Sequence, residues 1–179
     1  MARRRTSGQV PLEWIGIRES VTDAAANELV PFDLNLDDDE MAEILGIDSD
    51  IHLAVDGSAV SDETVVEGNL AIVMDPSYAI TNNPYSETVY EDLETFFNHS
   101  FGHEVIITTA VGFQYIPVRS NKQVRFDPGF GIMLANNPAA LVHAPAVGGT
   151  NTVDFHVRLY FKRRKATDMQ LARTLLKRR

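Results

Sequence analysis

The ten residues from 153 to 162, VDFHVRLYFK, carry an apolar side chain at every odd position and a more polar one at every even position. A period of two places the five odd-numbered side chains on one face of a β-strand, whereas a helix would scatter them around its surface. An apolar face must be covered by a second layer of structure. This segment therefore restricts the fold to one in which a sheet packs on another layer.

Seven further segments have the composition of strands and are separated by turn residues. They span residues 11–20, 28–36, 51–55, 64–74, 105–115, 123–126 and 131–134, and a turn is predicted at 120–122. With 153–162 they give about eight strands. This number predicts a mainly β protein, either a sandwich of two sheets or a barrel.

A short helix is predicted within the connection that follows residue 36. The acidic run from Asp37 to Glu40 suits a helix N-terminus, where carboxylates interact favourably with the helix dipole. Met41, Ile44 and Leu45 would share one face of this helix, and Gly46 would end it.

Two more helices are predicted further along the chain. Residues 86–99 contain an apolar stripe at helical spacing that ends in Phe96 and Phe97. Residues 165–179 contain the capping-box sequence TDMQ and several cations. The predicted organisation is a basic flexible arm at 1–8, a β-sandwich domain at 9–164 and a basic C-terminal helix at 165–179.

The charges are sorted along the chain. Residues 21–157 contain 22 acidic and three basic side chains, a net charge of −19. Residues 1–20 have a net charge of +2, and residues 158–179 have a net charge of +8. An acidic body of this kind needs salt or cations to screen its repulsion, while the basic ends can bind an anionic partner.

The overall composition excludes several classes of protein and leaves one question of origin open. There are no cysteines, which excludes disulfides and thiolate metal sites. No apolar run is long enough for a membrane-spanning helix, and the N-terminus does not have the pattern of a secretory signal. Twelve of the 16 basic residues are arginines, which fits either a protein adapted to high salt or an acidic protein from a GC-rich genome.

No motif predicts an enzyme, a cofactor or a metal centre. His99 and His103 have the spacing of metal ligands on a helix, with Glu104 adjacent, but Gly102 interrupts that helix and the zinc-protease glutamate is missing. The His-x-His pair of a cupin enzyme is missing as well. The favoured interpretation of the two histidines is that they are polar residues at a helix end, and a metal-dependent barrel enzyme is the less favoured alternative.

Residues 33–37 begin like a calcium-binding loop. Asp38 stands where that loop requires glycine, and Ile44 stands where it requires glutamate. An EF-hand is therefore excluded, and weak cation binding by the acidic residues at 37–40 stays open.

The size, the strand count, the basic arm, the acidic body and the 153–162 strand with its basic extension together resemble the single jelly-roll capsid proteins of icosahedral viruses. The resemblance is to those of archaeal, salt-loving, membrane-containing double-stranded DNA viruses in particular. It implies a jelly roll of eight strands in two facing sheets and a virion localisation after synthesis in the host cytoplasm. It also implies assembly with copies of the chain and with other capsid proteins, and no catalysis or small-molecule substrate.

On this interpretation, the basic termini contact an internal membrane, the genome or the acidic body of a neighbouring subunit. The predicted contact residues are Arg3, Arg4, Arg5, Arg158, Lys162, Arg163, Arg164, Lys165, Arg173, Lys177, Arg178 and Arg179. The alternatives are another virion component, such as a tail ring, and a β-sandwich binding module.

Overall fold

The computed structural model of the protein describes residues 11–22, 28–54, 63–74, 95–106, 117–143 and 152–166. These residues form nine strands: β1 (Glu13–Thr22), β2 (Glu28–Pro31), β3 (Glu40–Ala54), β4 (Glu63–Val73), β5 (Thr95–Ile106), β6 (Pro117–Arg125), β7 (Ile132–Leu134), β8 (Ala139–His143) and β9 (Thr152–Lys165). None of the residues in the described ranges is helical.

The strands form two antiparallel sheets. Sheet A has the order β1-β9-β3-β6, and the short strand β7 pairs with the start of β3 on the same edge as β6. Sheet B has the order β2-β8-β4-β5. The predicted mainly β class is confirmed.

The alternation of apolar and polar residues at 153–162 is seen directly in β9. From residue 153 to residue 161, the odd-numbered side chains are buried and the even-numbered ones are not. Strand β9 lies between β1 and β3, so its apolar face is at the centre of sheet A. The predicted strands at 11–20, 64–74 and 131–134 are also confirmed in outline as β1, β4 and β7.

The inner faces of the two sheets share one apolar core. Sheet A contributes side chains such as Ile47 and Phe155, and sheet B contributes Leu70 and Val142. The largest side chains that are almost fully buried are Phe32, Phe155, Leu34, Ile44, Ile47, Ile51, Leu70, Ile72, Leu134, Leu141 and Leu159. The core holds the sheets together because burying each such side chain contributes about 1.5–3 kcal/mol.

Residues 69–73 of β4 and 139–142 of β8 are buried on both faces of sheet B. Ala71 and Leu141 form a small second cluster on the side of sheet B that faces away from the shared core, and both have no exposed surface. A strand buried on both faces has no polar alternation. This is why β8, with the sequence AALVH, was not predicted as a strand.

The helix predicted to follow Asp37 is wrong. Residues 40–54 form the single long strand β3, and a β-bulge at Leu45 shifts its register against β9 between Ile44 and Gly46. The bulge places two apolar residues in succession and breaks the period of two. The spacing of Met41, Ile44 and Leu45 therefore imitated a helical face.

The helix predicted at 86–99 is wrong over its last five residues, which belong to β5, while 86–94 lie outside the described residues. A second bulge lies here as well: Ile72 pairs with Phe97 and Val73 pairs with Thr95, so Phe96 is the additional residue. The turn predicted at 120–122 is also wrong, since these residues lie within β6.

The division of the chain into a basic arm, a β-sandwich domain and a C-terminal helix stays a prediction. The arm at 1–8 lies outside the described residues, and so does 167–179 of the predicted C-terminal helix. Strand β9 continues through Lys165, so the first residue assigned to that helix is the last residue of a strand.

Candidate assembly surfaces

The basic end of β9, which consists of Arg163, Arg164 and Lys165, contacts acidic residues of the same chain. Arg163 lies 3.2 Å from Glu13 and 3.6 Å from Glu40, measured between nitrogen and carboxylate oxygen atoms. These cations therefore neutralise part of the acidic body where β1 and β3 flank β9.

The other two cations of this end have one carboxylate partner each. The Lys165 ammonium lies 3.1 Å from Asp39, which raises the lysine pKa. Arg164 forms an ion pair with Glu43, whose side chain is almost fully buried. Lys162 makes no ion pair with a described residue. That these residues also contact an anionic partner stays a prediction.

Glu43 holds the loop that connects β6 to β7. Its carboxylate accepts a hydrogen bond from the Gly129 N–H at 2.6 Å and pairs with Arg164. Burial alone would raise the pKa of Glu43, but the bonds from Gly129 and Arg164 and the charge of Arg164 keep it below its ordinary value. A buried, ionised carboxylate thus anchors a surface loop.

The outer face of sheet A, on the side away from the core, is lined by charged and aromatic side chains on four strands. Arg125 pairs with Asp48 at 2.6 Å and lies over the ring of Tyr160, 4.9 Å from its centroid. The Tyr160 hydroxyl donates a hydrogen bond to Asp48 at 2.8 Å. These contacts cross from β6 over β3 to β9 and fix the side chains in the middle of this face.

Arg158 is a predicted contact residue in the middle of β9 on this outer face. Its guanidinium lies 4.7 Å from the ring centroid of Trp14 on the edge strand β1, within range of a cation–π interaction. The Trp14 side chain is 63% exposed. Arg158 and Trp14 therefore form a platform that is open to solvent at the β1 edge.

An open hollow of about 420 Å³ lies at one end of the same face. It is lined by Arg18, Asp50, His52, Arg119, Asp154, Phe155 and His156. Arg119 pairs with Asp50 at 2.7 Å and lowers the pKa of that carboxyl, and His52 lies 3.7 Å from Asp154.

The outer face is therefore far less acidic than the sequence of the body suggests. On its four long strands, the arginines at 18, 119, 125 and 158 outnumber the aspartates at 48, 50 and 154. Two of those aspartates are paired with arginines of the same face. Chemically, this face can bind carboxylates or phosphates through guanidinium groups.

His99 lies between the two sheets. It belongs to β5 of sheet B, and its two ring nitrogens form hydrogen bonds with Ser49 of β3 at 2.8 Å and Ser120 of β6 at 2.9 Å. Burial and the nearby charge of Lys122 lower its pKa to about 4. A neutral imidazole has one donor and one acceptor nitrogen, so the two serines satisfy both.

His99 and His103 do not lie on one face of a helix, which was the geometry that the sequence raised as an alternative. Both lie in β5, where positions four residues apart are separated by about 13 Å along the strand. Both ring nitrogens of His99 already form hydrogen bonds with serine hydroxyls, so neither is available to a metal ion in this structure. In the described part of the chain no group of three histidine or carboxylate side chains could hold a metal ion.

Sequence reasoning missed two features of the surface. Glu43 was counted only as one of many acids, although it is buried, and Phe130 was not singled out although its side chain is 82% exposed. The available signal was the sequence DPGF at 127–130, since proline followed by glycine is typical of a type II turn.

No family model and no curated protein matches this sequence. Among solved structures 30 chains match, one of them from the crystal structure of the 60-mer BFDV capsid protein. That match has 11% sequence identity and a TM-score of 0.33, and covers 88% of this chain and 96% of the other. A TM-score this low does not establish a shared fold. None of the described residues lies in a helix that is long and apolar enough to span a membrane.

Proposed function

We propose that this protein is a structural subunit of a virus particle, a single jelly-roll coat protein that assembles with copies of itself. The observation that carries the proposal is the strand order of the two sheets. Capsid proteins are one of the main classes built on the jelly roll. Because a fold alone does not define a function, the interior and the charge distribution must also agree with the proposal.

The pairing of the strands corresponds to a long antiparallel ladder wound into two sheets. When the short strand β7 is left aside, the first strand pairs with the last, the second with the second last, and so on to the central pair β4 and β5. The pairs β3–β9 and β4–β8 then close the two four-stranded sheets. This connectivity supports the jelly roll of the proposal.

The packed interior supports a coat or binding role over a metal-dependent barrel enzyme. The inner face of sheet A presents mainly aliphatic and aromatic side chains to the core, and the polar side chains of His99, Ser49 and Ser120 form hydrogen bonds with one another. The polar chemistry of the described residues lies on the outer surfaces, where it can contact other molecules.

The charge distribution supports assembly in the presence of salt. The acidic body repels other copies of itself, and salt shortens the range of that repulsion to about 3 Å at 1 M. The basic arm and the basic residues at 173–179 would contact the genome, an internal membrane or a neighbouring subunit. We also propose that the virus infects halophilic archaea, because an acidic body with few lysines fits a protein adapted to high salt.

The proposal is tested by the native mass of the purified protein. We expect static light scattering to show large assemblies at about 1 M salt and smaller species at about 0.1 M, because repulsion between acidic bodies is screened only in concentrated salt. Negative-stain electron microscopy of the same samples would show closed shells. Rings or tubes would favour a tail component, and a monomer at every salt concentration would contradict a self-assembling shell.

A further inference from the structure

We propose that the outer face of sheet A binds single-stranded nucleic acid, with a base stacked on Trp14 and the phosphates paired with cations of β1 and β9. This inference goes beyond the proposed function, which gives a nucleic-acid contact only to the basic termini. It does not depend on assembly, because one copy of the chain carries the whole surface. We call this surface the β1–β9 track, and it consists of Trp14, Gly16, Arg18, His156, Arg158, Tyr160 and Lys162.

The pairing of β1 with β9 places the residues of the track on one face of the sheet. The cross-strand pairs are Trp14 with Tyr160, Gly16 with Arg158, and Arg18 with His156. Alternate positions of a strand share a face, and the odd-numbered positions of β9 are buried in the core. The even-numbered residues of the track therefore face away from the core, and from residue 156 to residue 162 they extend over about 20 Å of strand.

The track contains three cations and no carboxylate, although the chain as a whole has a net charge of −9. The cations are Arg18, Arg158 and Lys162, and none of them forms an ion pair with a described residue. On the neighbouring strand β6, by contrast, Arg119 and Arg125 are both paired with aspartates of β3. The charges of the track are therefore available to an external anion.

Trp14 is placed as a platform on which a flat ring can stack. The Arg158 guanidinium lies over its ring, yet Trp14 remains 63% exposed. Arg158 also donates a hydrogen bond to the Tyr160 hydroxyl, which restricts the position of the guanidinium. Exposed aromatic side chains bind single strands without regard to sequence, because every base has a π-face, and arginine adds cation–π interactions.

Gly16 brings the planar groups of the track together. A Cβ atom at this position would lie 3.3 Å from Nε2 of His156 and 3.8 Å from the Trp14 ring. The two rings thus approach each other over the glycine, and Arg158 is its cross-strand partner. Aromatic rings next to a row of cations are the combination by which proteins bind single strands.

Two other anionic partners would use only part of this surface. An acidic segment of another copy would pair with the cations and leave the Trp14 ring without a stacking partner. A nucleic-acid duplex would also pair with the cations, but its bases are stacked on one another and present no free face. A single strand uses both properties, since each nucleotide has a negative phosphate and an aromatic base.

The test uses the fluorescence of Trp14, which is the one tryptophan of the chain. A base that stacks on the indole quenches its emission. The full-length protein is titrated with oligo(dT), with oligo(U) and with a DNA duplex of the same length, at about 0.1 M salt so that phosphate contacts are not suppressed. We expect quenching by the single strands and none by the duplex. The tighter of the two single strands identifies the sugar that the track prefers.

Variants separate stacking from charge, with binding measured by the fluorescence anisotropy of a labelled oligo(dT). Trp14→Ala should bind about tenfold more weakly, and Trp14→Phe should recover most of that loss because it keeps a ring. Arg18→Gln should reduce the slope of log K against log salt by about 0.7, the effect of one phosphate contact on a single strand. Arg119→Gln is the matched control. It removes the same charge from the same face, but this guanidinium is already paired with Asp50, so the slope should not change.

Circular dichroism of each variant should match that of wild type, because Trp14, Arg18 and Arg119 are exposed. The proposal is wrong if oligonucleotides do not bind, if they bind without quenching Trp14, or if the duplex quenches equally. Equal effects of Arg18→Gln and Arg119→Gln would also contradict it. Light scattering measures assembly separately. A protein that never assembles and still binds oligo(dT) through Trp14 would lose the coat-protein function and retain this one.

Discussion

At the scale of single residues, the histidine between the sheets has the most specific environment in the described part of the chain. His99 joins β5 of one sheet to β3 and β6 of the other through two serine hydroxyls. Its ring is 4% exposed, and in that position the charged form would lose its hydration. The buried environment therefore favours the neutral imidazole.

This bridge predicts a loss of stability in mild acid. The unfolded chain binds a proton at this residue below about pH 6.5, whereas the folded protein does so only near pH 4. Because the unfolded state binds more protons in that window, the free energy of unfolding falls as the pH drops from 6.5 to 4, by at most about 3 kcal/mol. Urea unfolding at several pH values measures the fall.

The matched comparison is between His99→Gln and His156→Gln. The first variant should lose most of the acid-dependent slope, since the titrating group is removed. The second replaces a half-buried histidine on the outer face and should keep the wild-type slope. Identical slopes in wild type and His99→Gln would show that the bridge does not control acid stability.

At the scale of the elements, the bulges in β3 and β5 explain why part of the fold could not be predicted from the sequence. Strand β9 is regular and buried on one face, and its pattern predicted it correctly. The additional residues Leu45 and Phe96 each break that pattern. The resulting apolar spacing also fits a helix, and local sequence carries no information about the partner strand that would decide between the two.

The acidic partners of the basic end of β9 also could not be predicted from the sequence. Its cations could be identified from the sequence, but their partners Glu13, Glu40 and Asp39 lie more than 100 residues away along the chain. Only the antiparallel pairing of β9 with β1 and β3 brings them together. Charge counts therefore predicted an external anionic partner and not these internal ones.

Glu43 of β3 contacts both the β6–β7 loop and Arg164 of β9, so we predict that removing its charge lowers the free energy of unfolding. Glu43→Gln keeps the size of the side chain but removes the charge that pairs with Arg164, and should lower the free energy of unfolding by about 1–3 kcal/mol. Asp154→Asn is the control, because its pairing with His52 is half exposed and worth less than about 1 kcal/mol. Chemical denaturation of both variants at pH 7 measures the difference. Equal losses would mean that the buried pair adds nothing to the anchoring of the loop.

At the scale of the whole molecule, charge opposes compaction. The chain has a net charge of −9, and the basic end of β9 offsets only part of the acidic body. Uncompensated like charges destabilise a compact state through their mutual repulsion, and added salt weakens that repulsion.

We therefore expect the melting temperature at pH 7 to rise between about 0.1 M and 1 M KCl, as the screening length falls from about 10 Å to about 3 Å. Differential scanning calorimetry measures the shift. Near the isoelectric point of about 4.9 the net charge is close to zero, so the same addition of salt should have a much smaller effect. An equal rise at both pH values would indicate a general effect of salt on burial and not the screening of repulsion.

The turn at 127–130 lies where β6 has left the edge of β3 and β7 is about to join it, and the bulge at Leu45 accepts a hydrogen bond from the chain at that junction. Its two flanks are fixed, so residues at the tip can be exchanged without changing the register of any strand. For the same reason, the position of Phe130 is a rational insertion point for displaying a foreign peptide.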